Sequence, residues 1–245
     1  MNARRSWAEG KRLMGGGTRV NILDNELLKL KKSIVEMSEI VGGQLNSATR
    51  FLFERDGSLA EETIKNDLKV NSLEVGINES CIRLLALYQP EAADLMFITT
   101  SMKIITDLER MGDLCASVCQ IGLKLTDGTS SPEEFKCVYS YLEDVSSRDD
   151  EMLKMAMKMY ADGVNDNIAL KDVIIKDENV IDMLSHKVVV DIINASIKSP
   201  SNFENNITYI FIARKYERFA DHAQKIMELL LYMELGKDLR NLPEF

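Results

Sequence analysis

The chain has 245 residues, 45% of them apolar, and a formal net charge of -9 from 30 basic and 39 acidic side chains. That is enough chain to bury a core without disulfides, and the acidic balance offers no basic face for a phosphate backbone, which argues against a direct nucleic-acid partner. No run approaches the roughly 18 apolar residues of a membrane span, and the basic start from Met1 to Arg12 lacks an apolar signal core, so a cytoplasmic protein is expected.

Residues 1–21 contain Gly15-Gly16-Gly17 and little apolar periodicity, which reads as a flexible tail. Those glycines are not followed by Lys-Ser or Lys-Thr, so they form no phosphate loop. The chain has only four prolines, and glycines thin out after residue 43, which leaves long stretches free to be helical. Leu27, Leu28, Leu30, Ile34, Met37, Ile40, Val41 and Leu45 recur at helical spacing and predict an amphipathic helix capped at Asp24 or Asn25. Turn signals then follow at Asp56-Gly57-Ser58, Gln89-Pro90, Asp127-Gly128 through Ser131-Pro132, Asp162-Gly163 and Ser199-Pro200-Ser201. They divide the chain into six predicted helices, roughly 24–55, 59–88, 91–126, 132–161, 166–197 and 203–235.

The run Asp107-Leu-Glu-Arg-Met-Gly-Asp113 in the third helix is echoed by Lys215-Tyr-Glu-Arg-Phe-Ala-Asp221 in the sixth. Glu217 follows Glu109, and Asp221 follows Asp113, by the same 108 residues; that shift carries Asp24 onto Pro132, while Pro90 and Pro200 lie 110 apart. The chain is therefore a tandem repeat. Short connections favour up-down-up packing. The expected fold is all-α, six long helices as two tandem, pseudo-symmetric three-helix bundles at residues 22–128 and 129–245.

On the third helix Ile98, Met102, Ile105, Ala116 and Leu123 form an apolar stripe. Glu109 falls within it and Asp113 at its edge, whereas Asp107, Lys103 and Arg110 are expected to point away. A polar pair on such a face needs hydrogen bonds, an ion pair or a metal. A single E-x-x-x-D reads as an edge carboxylate paired with a lysine or arginine of a neighbouring helix. Repetition adds weight to the metal, because the second helix offers Asp67-x-x-x-Asn71 and Glu74, and the fifth offers Glu178-x-x-x-Asp182. Oxygen-donor pairs one turn apart on adjacent helices suit a hard or borderline cation.

The two histidines, His186 and His222, make no E-x-x-H motif, because Gly112, Ile181 and Ala220 stand three after Glu109, Glu178 and Glu217; a ferritin-like oxidase is disfavoured. His222 beside Asp221 is similar to metal-dependent phosphohydrolases, but those use several histidines, and a surface or core-edge residue is the simpler reading. Cys81, Cys115, Cys119 and Cys137 form no C-x-x-C pair and read as small core residues, although Cys115 and Cys119 share a helical face. Trp7 lies in the tail, and Met152, Met155, Met157 and Met159 read as core filler.

Asp67-Leu-Lys-Val-Asn-Ser-Leu-Glu74, Glu79-Ser-Cys-Ile-Arg-Leu-Leu-Ala-Leu-Tyr-Gln-Pro90, Ala93-Asp-Leu95 and Asp107-Leu-Glu-Arg-Met-Gly-Asp113 together resemble the PhoU family. Ala213 and Glu217-Arg-Phe-Ala-Asp-His-Ala223 repeat the resemblance, which runs from about residue 22 to 235. It implies a cytosolic, non-enzymatic accessory of the phosphate ABC transporter that signals to a sensor histidine kinase and holds phosphate-starvation genes off. It also implies multinuclear transition-metal sites of iron, zinc or manganese. The first would draw on Asp67, Asn71, Glu74, Glu109 and Asp113, and the second on Glu178, Asp182, Glu217 and Asp221. A homodimer is expected.

Departures from the family pattern are Met96 for a common arginine, Ser117 and Lys225 for a frequent asparagine, and Phe219-Ala220 for Ile-Gly. Ser185 takes the place of Glu74 in the second repeat, at an offset of 111, so the second site is expected to hold fewer or weaker metals. The competing classes are a metal-dependent helical-bundle enzyme, oxidase or phosphohydrolase, and a bare scaffold with solvated carboxylates. No constellation of nucleophile, base and oxyanion donors supports catalysis.

Overall fold

The computed structural model describes residues 19–125, 136–163, 167–198 and 200–235. Six long helices make up the fold: α1 (Arg19–Glu54), α2 (Gly57–Tyr88), α3 (Ala92–Gly122), α4 (Lys136–Asp162), α5 (Asn167–Lys198) and α6 (Phe203–Leu235), with a short 3₁₀ turn at Pro200–Asn202 before α6. Among the described residues there is no strand. The tail expected at residues 1–21 lies outside the described residues up to residue 18, and α1 is already helical from Arg19. Asp24 and Asn25 are thus inside α1 and do not cap it. Leu23 carries the apolar stripe one turn upstream by packing on the core, and no glycine or proline from Arg19 to Leu23 stops the helix.

The turns work as their residues dictate. Asp56 caps α2 by accepting the Ser58 backbone N–H at 2.9 Å and the Ser58 hydroxyl at 2.7 Å. Gln89, in the left-handed region at φ 46°, closes the other end by donating its N–H to the Leu85 carbonyl, and Pro90 then prevents continuation. Gly163 does the same after α4 at φ 85°, a conformation that costs a glycine least.

Within each half, consecutive helices pack together. Across the halves α3 lies on α6 and α1 on α4, while α2 covers α1 and α3, and α5 covers α4 and α6. Four inner helices therefore form the centre of one core, and α2 and α5 flank them, adding Val70, Ile77 and Leu84, and Ile181, Val188 and Ile192, to it. Ile34, Met37, Leu108, Leu142, Ile212 and Met227, drawn from all four, are fully buried in a single continuous cluster. Burial of each such side chain contributes about 1.5–3 kcal/mol. Two buried hydroxyl pairs tie the diagonals: Thr49 of α1 meets Tyr216 of α6 at 2.8 Å, and Ser101 of α3 meets Tyr160 of α4 at 2.8 Å. One pair is the pseudo-symmetric image of the other in helix assignment.

Because α3 is covered by α1, α2 and α6, it has no free back. Asp107, expected to point away, is instead buried at 3% side-chain exposure, where it accepts from Lys225 Nζ at 2.7 Å and pairs with His222 Nδ1 at 2.9 Å. This α3–α6 ion cluster joins the two halves. It also places His222 as the partner of a buried carboxylate.

Candidate functional site

The first cluster sits between α2 and α3. Asp67, Asn71 and Glu74 are stacked along α2, and Glu109 and Asp113 stand one turn apart on α3. Asn71 Nδ2 reaches Asp67 Oδ2 at 3.5 Å, and Glu74 accepts a long bond from Thr106 on α3, also at 3.5 Å. Asp67 Oδ1 and Asn71 Oδ1 are buried without a partner. Burial pushes the Asp67 carboxyl above the usual carboxylate range, and the Asp113 charge pushes it further. Burial and then Asp113 raise Glu109 as well; Arg110 opposes the shift, while Glu74 and Asp67 add to it. The cation beside this pair is Arg110 of the same helix, 3.5 Å from Glu109 and 3.6 Å from Asp113, and it is more than half exposed. So solvated a partner offsets little of the repulsion.

A residue absent from the sequence reading belongs to this cluster. Gln44 of α1 is 1% exposed; its Nε2 donates to the Thr63 carbonyl at 3.1 Å, while its Oε1 has no partner. Gly112 leaves the space between these groups bare. A Cβ there would stand 3.1 Å from Gln44 Oε1, 3.3 Å from a Val70 methyl and 3.4 Å from Asp67 Oδ1. Gln44 was detectable in principle, because it interrupts the apolar stripe Met37, Val41, Leu45, Ala48 at a helical position.

The second cluster brings Asp182 of α5 towards Glu217 and Asp221 of α6; the Glu178 side chain lies outside the described residues. Glu217 is held by Arg214, one turn back on its own helix, at 2.5 Å. Burial raises the Asp221 carboxyl, and Glu217 and then Asp182 raise it further, against His222 and Arg218. Ser185, at the place of Glu74, is buried and bonded to the Tyr141 hydroxyl at 2.8 Å, so it faces the core. On α4, Asp149 is 0% exposed, and neither of its oxygens has a hydrogen-bond partner. Burial and then Asp221 push its carboxyl well above the ordinary range.

Cys81, Cys115 and Cys119 are free and buried. Burial raises the Cys81 and Cys119 thiols to about 11 and Cys115 well above its ordinary value, so they stay protonated core groups at neutral pH. Cys137 lies outside the described side chains.

The family model described as the PhoU domain matches residues 34–122 and again 142–230, so both ends of the second match fall 108 residues after the first. The chain belongs to the PhoU family. The PhoU homolog named as a phosphate-specific transport system accessory protein in Aquifex aeolicus is 33% identical over 219 residues, which is 89% of this chain and 96% of that one. The similarly named protein of Escherichia coli K12 is 27% identical over 216 residues, 88% of this chain and 86% of that one. Crystal structures of PhoU from Pseudomonas aeruginosa and of the phosphate transport system regulatory protein PhoU from Streptococcus pneumoniae match with TM-scores of 0.79 and 0.77. Each is 27% identical; they cover 87% and 89% of this chain and 99% of their own.

In this PhoU-family chain, no three acidic, histidine or cysteine side chains among the described residues stand close enough together to hold an ion as placed. The donor set itself suits a hard or borderline cation: it is all oxygen, mutually repelling, and includes the unpartnered Asp67, Asn71 and Gln44 oxygens around bare Gly112. Glu109 and Asp113, at 18% and 44% side-chain exposure, keep part of their side chains in water. No helix among the described residues is long and apolar enough to cross a membrane.

Proposed function

We propose that the chain is an accessory regulator of a phosphate transporter, which holds phosphate-starvation signalling off by passing the state of the transporter to a sensor histidine kinase. The observation that carries this is coverage. Both halves match the PhoU domain, and the Aquifex aeolicus accessory protein aligns along 96% of its own length. Docking of partner proteins on helix faces, by a homodimer, is the mode of action. Deleting the gene should leave starvation genes switched on in ample phosphate; a deletion strain that still represses them would count against the role.

Each half is proposed to bind a transition metal, iron, zinc or manganese, through its carboxylates. Asp67, Asn71, Glu74, Glu109 and Asp113 would serve the first site, and Glu178, Asp182, Glu217 and Asp221 the second. What supports this is the unpartnered buried oxygens of Asp67 and Asn71, together with the burial and then the mutual repulsion that raise Asp67, Glu109 and Asp221. A cation supplies the missing positive charge and so braces the outer helix against the inner ones.

A further inference from the structure

The second half lacks the carboxylate that Glu74 supplies to the first, since Ser185 stands in its place with its hydroxyl bonded to Tyr141. It has instead an aspartate with no counterpart among the acidic residues of α1. Asp149 lies on the buried stripe of α4, seven residues after Leu142, four after Val145 and three before Met152, all of them buried. Its charge is felt by Cys115, Tyr141 and Tyr216, and it feels that of Asp221.

The hydroxyl protons of these groups are already committed, and Cys115 offers only a weak S–H. Tyr141 donates its hydroxyl to the Ala213 carbonyl at 3.1 Å. Thr49 gives its own proton to the Leu45 carbonyl, so Tyr216 must donate to Thr49. Asp221 is itself acidic. A buried carboxyl with two unpartnered oxygens, beside a second carboxylate and with no N–H or free O–H donor among these groups, either keeps its own proton or is matched by a positive ion.

We propose that Asp149 is a cation ligand of the second cluster, reaching it from the inner helix α4 and replacing the carboxylate that α5 has lost at Ser185. The ion it takes is a divalent or trivalent metal of the hard-to-borderline class, which would draw Asp221, Glu217 and Asp182 in towards Asp149, since no three of these groups stand close enough together as placed. The inference rests on the metal reading above but adds a ligand and a depth to it. The second site then reaches into the four-helix core, whereas the first is centred on the α2–α3 seam.

The test uses the full chain and Mn²⁺ as probe. In a Glu109→Ala/Asp113→Ala background, which leaves the second cluster alone, Mn²⁺ affinity is measured by calorimetry and the bound ion by its electron paramagnetic resonance spectrum. Adding Asp149→Asn, which keeps the shape and removes the charge, should weaken Mn²⁺ by about ten-fold or more and alter that spectrum. Asp149→Leu should do at least as much. If Asp149→Asn leaves affinity within about two-fold while Asp221→Ala abolishes it, Asp149 is no ligand although the metal reading stands. If the background protein binds no Mn²⁺ but the wild type does, the second cluster is not a site and the inference falls. If the wild type binds none, both fall together.

Discussion

The two halves share a repeat of 108 residues but meet the problem of buried carboxylates differently. In the first half Asp107 is buried and answered, by Lys225 and His222 from the other half. On α4 of the second half, Asp149 is buried and unanswered. The same residue type thus serves as a clasp in one place and as an uncompensated charge in the other. Burial alone does not tell the two apart; the count of donors does.

The largest expected effect breaks that contrast from the Asp149 side. In chelated protein Asp149→Leu should stabilise the fold by about 1–4 kcal/mol, because a buried group without partners gives way to an apolar one. Denaturant unfolding with and without chelator checks it; a loss of stability in chelator would mean that Asp149 has a partner in solution.

Next comes a packing difference between the halves. Gly122 and Phe51 correspond, by the offset of 108, to the buried Leu230 and Met159, so one half has a small and a large residue at positions where the other has two of intermediate size. A Cβ at Gly122 would fall 2.6 Å from the Phe51 ring. Gly122→Leu should therefore cost about 1–3 kcal/mol by overpacking. Combining it with Phe51→Met should recover part of that, and a double-mutant cycle that shows simple additivity would refute the exchange.

From the Asp107 side the effect is smaller, since Lys225 is more than half exposed and can return to water. Asp107→Ala should cost about 1–2 kcal/mol and loosen the α3–α6 contact between halves, as read by hydrogen exchange in those helices.

The smallest effect is a slope with pH in chelated protein. Asp67, Glu109, Asp149 and Asp221 all sit above the usual carboxylate range, so the folded state binds protons more tightly than the unfolded one. Their contribution is full below the ordinary carboxylate pKa of about 4 and is lost as pH rises through their folded values. Melting temperature in chelator should therefore fall from about pH 4 towards neutrality, and less steeply in Asp149→Asn. Equal slopes for the variant and the wild type would remove Asp149 from the explanation.

The helices, their turns and the repeat were legible because each depends on local chemistry: apolar spacing, glycine and proline at the turns, and a motif recurring at a fixed distance. What was not legible depends on how many sides of a helix are covered. The sequence pattern of α3 shows one apolar stripe and so points Asp107 outward, whereas α1, α2 and α6 together enclose the helix. Asp149 sits in the run Arg148-Asp149-Asp150-Glu151, which has the look of a solvated stretch, and only its register with Leu142, Val145 and Met152 gives it away. Gln44 was hidden likewise in an apolar run. Of the nominated site residues, the structure brings Asp67, Glu74, Glu109 and Asp113 into one another's field, and Asp182 and Glu217 into that of Asp221.

The most direct test of the carboxylate clusters as metal sites is elemental analysis of protein purified without chelator, comparing the wild type with Glu109→Ala/Asp113→Ala and Glu217→Ala/Asp221→Ala. Iron, zinc or manganese should accompany the wild type, fall in each double variant, and be nearly absent when the two are combined, with the chelator-induced drop in melting temperature shrinking in step. Metal-free wild-type protein that melts at the same temperature with and without chelator would contradict it, and would leave the carboxylates as ordinary charges on a PhoU-family scaffold.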